Sequence, residues 1–343
     1  MIAHIMTSPS RGGLEHYVCD LIAHLAEIKV KQILICDSHS FLIQELKSTG
    51  LKIYPLRSGS RYSLSRIFRL RAIFKKEKIT IIHSHTRDDM VLSTLASFFN
   101  ARIRRIFSLY MGFGRKKDLL HRLIYGKLEA LVTTSNLMNQ LALEKLPVSN
   151  RQVRLIRYGR DDALFKVKRS EIDKIRKALK LTAQDRLVLS LCRIDPMKGV
   201  REFAAASNLM PRHLKHRWLF LQIGERTLIG HDAKGEPLYL PDSQDAYLSV
   251  KKIADQQGNP TTYQMLPFQK NYIPYLCAAD YFVLGSYDEM YSLSVIDAMM
   301  AGLPVIGTNN GGTTEQLALD RGLLIEAKNP QAIVDAEFSG CPF

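Results

Sequence analysis

Residues 279–317 read ADYFVLGSYDEMYSLSVIDAMMAGLPVIGTNNGGTTEQL, and this stretch decides the fold. Tyr281–Leu284 is a short apolar run, expected as a buried strand. Glu289 and Asp297 are carboxylates eight residues apart. Residues 294–301 are expected as a helix, stopped by Gly302-Leu303-Pro304. Residues 304–307 form a second buried strand, and Gly311-Gly312-Thr313-Thr314-Glu315 opens another helix. Strand, acidic loop, helix, strand, glycine loop, helix is the grammar of a parallel α/β sheet. Ligands of such sheets sit at the carboxyl ends of strands and on helix N-termini.

Two acids beside phosphate-binding machinery set a chemical condition. A carboxylate repels phosphate but accepts hydrogen bonds from sugar and ribose hydroxyls. Glycine-flanked helix starts suit phosphates. A ligand that meets both is a nucleotide-sugar.

These residues resemble the retaining glycosyltransferases of the GT4 family, which have the GT-B fold. That family carries E-G-F-G-x-x-x-x-E-A-x-A-x-G-x-P-V, then G-G-x-x-E. The present chain has Glu289, Asp297, Ala298, Gly302, Pro304 and Val305 in register, then Gly311, Gly312 and Glu315. Met290 stands where the family has glycine, and Asp297 where it has a second Glu. The resemblance implies that Glu289 touches the donor sugar and Asp297 the ribose, with Leu293 and Ser294 beside them. Asp is one methylene shorter than Glu, which lengthens the ribose contact or passes it through water. The implied architecture is two Rossmann-like parallel-sheet domains facing across a cleft, residues 1–160 on the acceptor side and residues 161–343 binding the donor.

With 343 residues and 46% hydrophobic composition, the chain is long enough for two such cores. No apolar run approaches the roughly 20 residues of a membrane span. No secretory signal is read at Met1. Five cysteines (Cys19, Cys36, Cys192, Cys277, Cys341) without metal-ligand spacing read as the reduced thiols of a cytoplasmic protein. The formal charge of +15 is uneven: residues 1–160 hold 27 Lys and Arg against 11 Asp and Glu, and the remainder 21 against 22. A basic half beside a neutral half points to an anionic partner on one domain. A membrane surface, a phosphorylated acceptor and nucleic acid all meet that description. Nucleic acid is disfavoured, because the basic residues are not interleaved with a nucleic-acid module.

In the first half, Ile2–Met6 is a strand, residues 7–13 a loop and residues 14–26 an amphipathic helix. No G-x-G-x-x-G follows the strand, so a dinucleotide site is poorly supported. Arg11-Gly12-Gly13-Leu14-Glu15 resembles the family's opening R-G-G-x-E, which implies that Gly12 and Gly13 let the backbone approach the donor. Leu64–Lys76 reads as a helix with Arg66, Arg69, Arg71, Lys75 and Lys76 set against Leu64, Ile67, Phe68, Ile73 and Phe74. Either it packs with a solvated basic face or it lies on an anionic membrane. His83 and His85 match an H-x-H of the family. They are expected on opposite faces of a strand, without a zinc site. A strand over 103–109 leads to Tyr110, which aligns with a histidine that helps at the reacting centre of relatives. Arg115, Lys116 and Lys117 follow, among aromatic residues, as an acceptor or membrane side together with His85. Residues 131–135 are read as the last strand of this half.

In the second half, Tyr158-Gly159-Arg160-Asp161 resembles the family's N-G-V-D. Arg186–Leu191 is a strand, and Arg193 through Lys198-Gly199 matches G-R-x-x-x-x-K-G. The resemblance implies that Arg193 and Lys198 grip the donor diphosphate. Cations suit that place, because the leaving group gains negative charge as the glycosidic bond breaks. No metal cofactor is then required. Residues 226–246 read as a long loop, and Phe268, after the strand Tyr263–Leu266, lies where relatives hold the base. Relatives extend into a longer C-terminal helix than this chain shows.

The function implied is sugar transfer with retention, from a nucleotide diphosphate sugar to a glycan, glycolipid or lipopolysaccharide-type acceptor, at the cytoplasmic face of a membrane. A nucleotide-sugar epimerase on the same fold, a truncated inactive relative and a basic nucleic-acid-binding protein are the other readings.

Overall fold

The structure, a computed structural model, describes residues 1–10, 12–57, 59–211, 216–232, 234–255 and 263–338. Arg11, Cys341 and the tail from 339 onward lie outside the described residues. The chain divides into two compact units, Met1–Tyr158 and Gly159–Phe343.

The first unit is built on β1 (Ile2–Met6), β2 (Gln32–Cys36), β3 (Lys52–Pro55), β4 (Ile81–Ser84), β5 (Arg104–Ser108), β6 (Ala130–Thr133) and β7 (Val153–Leu155). All pair in parallel, in the order β3-β2-β1-β4-β5-β6-β7. The expected last strand, here β6, is therefore followed by one more. The strand expected over residues 153–158 belongs here rather than to the second half: it is β7, three residues long, and its pairing with β6 places it in the first sheet.

The second unit holds β8 (Arg186–Leu191), β9 (Trp218–Ile223), the hairpin strands β10 (Leu228–His231) and β11 (Pro237–Tyr239), then β12 (Tyr263–Leu266), β13 (Tyr281–Leu284), β14 (Val305–Thr308) and β15 (Leu323–Ile325). Its main sheet runs β12-β9-β8-β13-β14-β15 and is parallel throughout. Side chains alternate across it with the period of two that a strand imposes. Val188, Phe220, Val283 and Ile306 enter one core layer with Phe203. Leu187, Leu189, Leu221, Phe282, Leu284 and Val305 enter the other. Both faces are buried, which is why these strands read as continuous apolar runs. The expected loop at 226–246 is instead the antiparallel β10–β11 hairpin and the start of the helix Pro241–Asp255.

The helix Leu64–Lys76 is present, but its faces differ from the expected split. Arg66 is buried and donates to the carbonyls of Gly59 and Ser60 and to Thr7 Oγ1. Leu64 and Phe68 are exposed instead, at 69% and 62%.

Candidate functional site

In each sheet the strand order reverses once, and ligands of parallel sheets bind outside the carboxyl ends at such a point. In the second unit the reversal lies between β8 and β13. β8 runs into Cys192–Gly199, and β13 into Gly285–Ser292. The Asp195 carboxylate accepts from the Met197 N–H at 2.9 Å and caps the turn Pro196–Lys198. Gly199 ends that turn at φ +66°, and a Cβ there would lie 2.1 Å from the Gly285 carbonyl oxygen. The two loops touch backbone to backbone, which only glycine permits. The contact sets Lys198 against Glu289: Nζ donates to Oε2 at 2.6 Å, both side chains less than one fifth exposed.

The glycine loop after β14 completes the arrangement. A Cβ on Gly312 would stand 1.8 Å from the Met290 carbonyl oxygen, and the Gly312 N–H donates to the Glu289 carbonyl at 2.5 Å. Met290, the departure from glycine, is 7% exposed. Ser292 caps the helix Leu293–Met300 and bonds to Ser294 Oγ at 3.0 Å. Gln316 clamps Ser292 from the glycine loop's short helix, its Oε1 accepting from the Ser292 N–H and its Nε2 donating to the Ser292 carbonyl, each at 2.8 Å. Leu293 is buried, and Arg193, Ser294 and Glu315 are half-buried. Glu315 lies in a helix of only four residues, Thr313–Gln316. Phe268 follows β12 at the sheet edge, two strands from β8.

Asp297 is enclosed by donors of the protein itself. It is 1% exposed. Arg160 Nε donates to its Oδ1 at 2.6 Å, Tyr272 Oη donates to its Oδ2 at 2.7 Å, and Arg160 Nη2 donates to Tyr272 Oη at 2.9 Å. A ribose hydroxyl would have to reach this buried carboxylate alongside these donors. Arg160 stands where the resembling N-G-V-D has valine, so two departures from the family pattern meet in one buried ion pair.

In the first unit the reversal lies between β1 and β4. Asp89 is fully buried there and accepts from the Thr7 N–H at 3.0 Å and from Thr7 and Thr86 hydroxyls. Burial raises its pKa. Gly12 precedes the helix Gly13–Glu27 in extended conformation. His83 and His85 do not point to opposite faces: their rings are 4.2 Å apart, and both meet His4 of β1. Residues two apart on a strand share a face, so the expectation had the period wrong. Burial holds all three imidazoles neutral, with His4 lowered to about 4. Tyr110 stacks 6.1 Å from His85 and its phenol lies 3.1 Å from His85 Nδ1; burial pushes its pKa up. Arg115 and Lys116 are exposed and Lys117 half-buried on the following loop. Among the described residues, His4, His83 and His85 are the group whose donor atoms, within 4.8 Å of one another, could hold a metal ion. The expectation of no third ligand overlooked His4, which the sheet brings from 79 residues away. An ion would have to replace the 3.2 Å contact between His4 Nδ1 and His85 Nε2.

Sequence reasoning placed Lys198, Glu289 and Gly312 together, and it missed Arg160, Tyr272, Gln316 and His4. Only His4 left a signal, a lone imidazole inside an apolar strand.

Residues 171–336 match the family described as glycosyl transferases group 1, and residues 11–164 match Glycosyltransferase Family 4. The putative teichuronic acid biosynthesis glycosyltransferase TuaC of Bacillus subtilis is 38% identical over 87 residues, 25% of this chain and 22% of TuaC. A probable sucrose-phosphate synthase of Beta vulgaris is 29% identical over 160 residues, 44% of this chain. The match spans 14% of that protein's length. Among solved structures, a glycosyltransferase from Rickettsia africae superposes with a TM-score of 0.80 at 18% identity, covering 99% of this chain and 87% of its own. Anabaena HepE in complex with UDP and glucose gives 0.79 at 18%, covering 97% and 88%. The shared fold is GT-B.

Proposed function

Because the chain belongs to the group 1 glycosyltransferases of family 4, we propose that it transfers a sugar, with retention, from a nucleoside diphosphate sugar to an acceptor. The observation that carries this reading is the Lys198–Glu289 pair at the strand-order reversal of the second unit. Before the donor arrives, the two groups neutralise each other. A pyrophosphate draws Lys198 to itself with Arg193, and Glu289 is released to accept from sugar hydroxyls. As the glycosidic bond breaks, negative charge grows on the phosphate, where these fixed cations stabilise it more than in the ground state. The leaving phosphate takes the proton of the incoming acceptor hydroxyl on the same face. The two cations supply the neutralisation that a divalent metal would otherwise provide. The complexes of HepE with UDP and with UDP-glucose favour a nucleotide of this type here.

The acceptor in this reading is carried by a membrane lipid. Support comes from exposed Met111, Leu119, Leu120 and Leu123 beside exposed Arg115, Lys116 and Arg122 in the first unit. Apolar side chains ringed by cations suit an anionic bilayer surface. No helix among the described residues is long and apolar enough to cross a membrane.

The donor half is tested by thermal shift with UDP-, GDP- and ADP-sugars on the wild type and on Lys198→Ala. Stabilisation by one nucleotide series, lost in the variant, is expected. Equal response of both proteins to every sugar nucleotide would remove the role of Lys198.

A further inference from the structure

In the first sheet, His4 and His83 are direct partners in the parallel pairing of β1 with β4, and His85 lies two residues further along β4. Residues two apart on a strand share a face, so three imidazoles project from one patch of the sheet. Their ring centroids are 5.3, 5.5 and 4.2 Å apart, and one nitrogen from each lies within 4.8 Å of the others. The transfer chemistry proposed above uses none of the three. Burial holds them neutral, the form in which imidazole offers a lone pair to a metal ion.

The spacing suits a small ion. With Zn–N bonds of roughly 2.0–2.1 Å, two nitrogens on one tetrahedral zinc stand about 3.3 Å apart. His4 Nδ1 and His85 Nε2 are already 3.2 Å apart. The His83 nitrogen closes the remaining gap by rotation of its ring. His83 is the one ring of the three with exposed surface, so an ion reaches the group from its side. Ligating histidines have their second ring nitrogen held by a hydrogen bond, which fixes tautomer and orientation. Two of these rings have that support: Ser108 Oγ lies 2.8 Å from His83 Nε2, and Tyr110 Oη lies 3.1 Å from His85 Nδ1. When His85 ligates through Nε2, its hydrogen sits on Nδ1 and is donated to the Tyr110 oxygen. The ring stays neutral and no proton leaves. The fourth position of a tetrahedral ion falls to water or hydroxide, and hydroxide lowers the charge that the interior must hold.

We propose that His4, His83 and His85 bind one late first-row divalent ion of the zinc, cobalt, nickel and copper class, which pins β1 to β4 at the reversal point of the first sheet. An all-imidazole set favours that class over Mg2+ and Ca2+, which take oxygen ligands. The role is structural and does not rest on the proposed transfer.

The test uses the full chain without a polyhistidine tag, stripped by chelator and titrated with Co2+ and with Zn2+. One Co2+ per chain is expected, with visible absorption of the intensity that marks four or five ligands rather than six, displaced by Zn2+ and not by Mg2+. One equivalent of Zn2+ should raise the melting temperature. His4→Gln, His83→Gln and His85→Gln should each weaken Zn2+ by at least the roughly 10–100-fold that loss of an outer partner costs, and Ser108→Ala by about tenfold. His24→Gln, at an exposed position outside the group, should change nothing. Because buried substitutions can unfold the first unit, pulsed EPR of the wild type with one equivalent of Cu2+ gives a count that needs no variant: three imidazoles are expected on the ion. Fewer than three overturns the proposal. So does a Co2+ spectrum that stays six-coordinate, or affinity retained by folded variants of the three histidines. The proposed transfer stands in each of those cases.

Discussion

The Glu289 carboxylate is met by Lys198, and that pairing is what a diphosphate would undo. With Glu289→Ala, transfer should fall on the order of 10²-fold, because the sugar loses an oriented acceptor at the breaking bond. Glu289→Gln, which keeps shape and one acceptor oxygen, should fall less; steady-state rates of the two variants check this. Asp297 calls for the opposite kind of experiment. Its carboxylate is buried and met by Arg160 and Tyr272. Asp297→Asn leaves the Arg160 guanidinium without its counter-charge, and breaking a buried pair from one side costs roughly 3–5 kcal/mol. A fall in denaturation midpoint is therefore expected, with the donor KM of whatever folds unchanged. A KM raised tenfold at unchanged stability would return Asp297 to the ribose.

At the scale of elements, strand-end loops carry the site and glycines set how closely those loops approach. Gly312→Ala puts a methyl group into the Met290 carbonyl, so the acidic loop must retreat. A loss of about 1–3 kcal/mol by denaturant titration is expected, together with weaker donor binding, since the same loop carries Glu289. Much of this was legible beforehand. β8, β12 and β13 were placed to the residue, because buried strands give apolar runs with sharp ends. The acid loop and the glycine loop were found because their spacing is local. The β10–β11 hairpin was not found: Gly230 and an irregular register between Leu228 and Gly230 erase the alternation that marks a strand. The Arg160–Asp297 pair spans 137 residues, and neither member differs locally from an exposed charge. The histidine faces were legible, and the strand period was misapplied to them.

Across the whole molecule, the two units differ in charge, and the first carries its own response to acid. The first unit buries three neutral imidazoles. His4 titrates near 4 when folded, against an ordinary value of 6.5, and burial moves His83 and His85 the same way. Between those two values the unfolded chain binds protons that the folded one refuses. Stability is therefore whole above pH 6.5 and drains away as pH falls toward 4, by about 3 kcal/mol from His4 alone. Urea midpoints at pH 7 and pH 5 should show this, and His4→Gln should flatten the difference. The excess of cations over residues 1–160 has a second consequence, at the exposed face around Met111 and Leu119–Leu123. Each Lys or Arg near an anionic bilayer contributes about 1 kcal/mol, and that part is screened by salt, whereas burial of leucine side chains is not. Flotation with vesicles containing anionic lipid should therefore recover the protein at low salt, with partial release at 0.5 M salt and no recovery on zwitterionic vesicles. Replacing Leu119, Leu120 and Leu123 together by Ser should abolish the salt-resistant fraction, while Arg115→Gln with Lys116→Gln should remove the salt-sensitive one. Equal recovery on zwitterionic and anionic vesicles would contradict a role for the charge, and no recovery on either would leave the acceptor to be sought among soluble glycans.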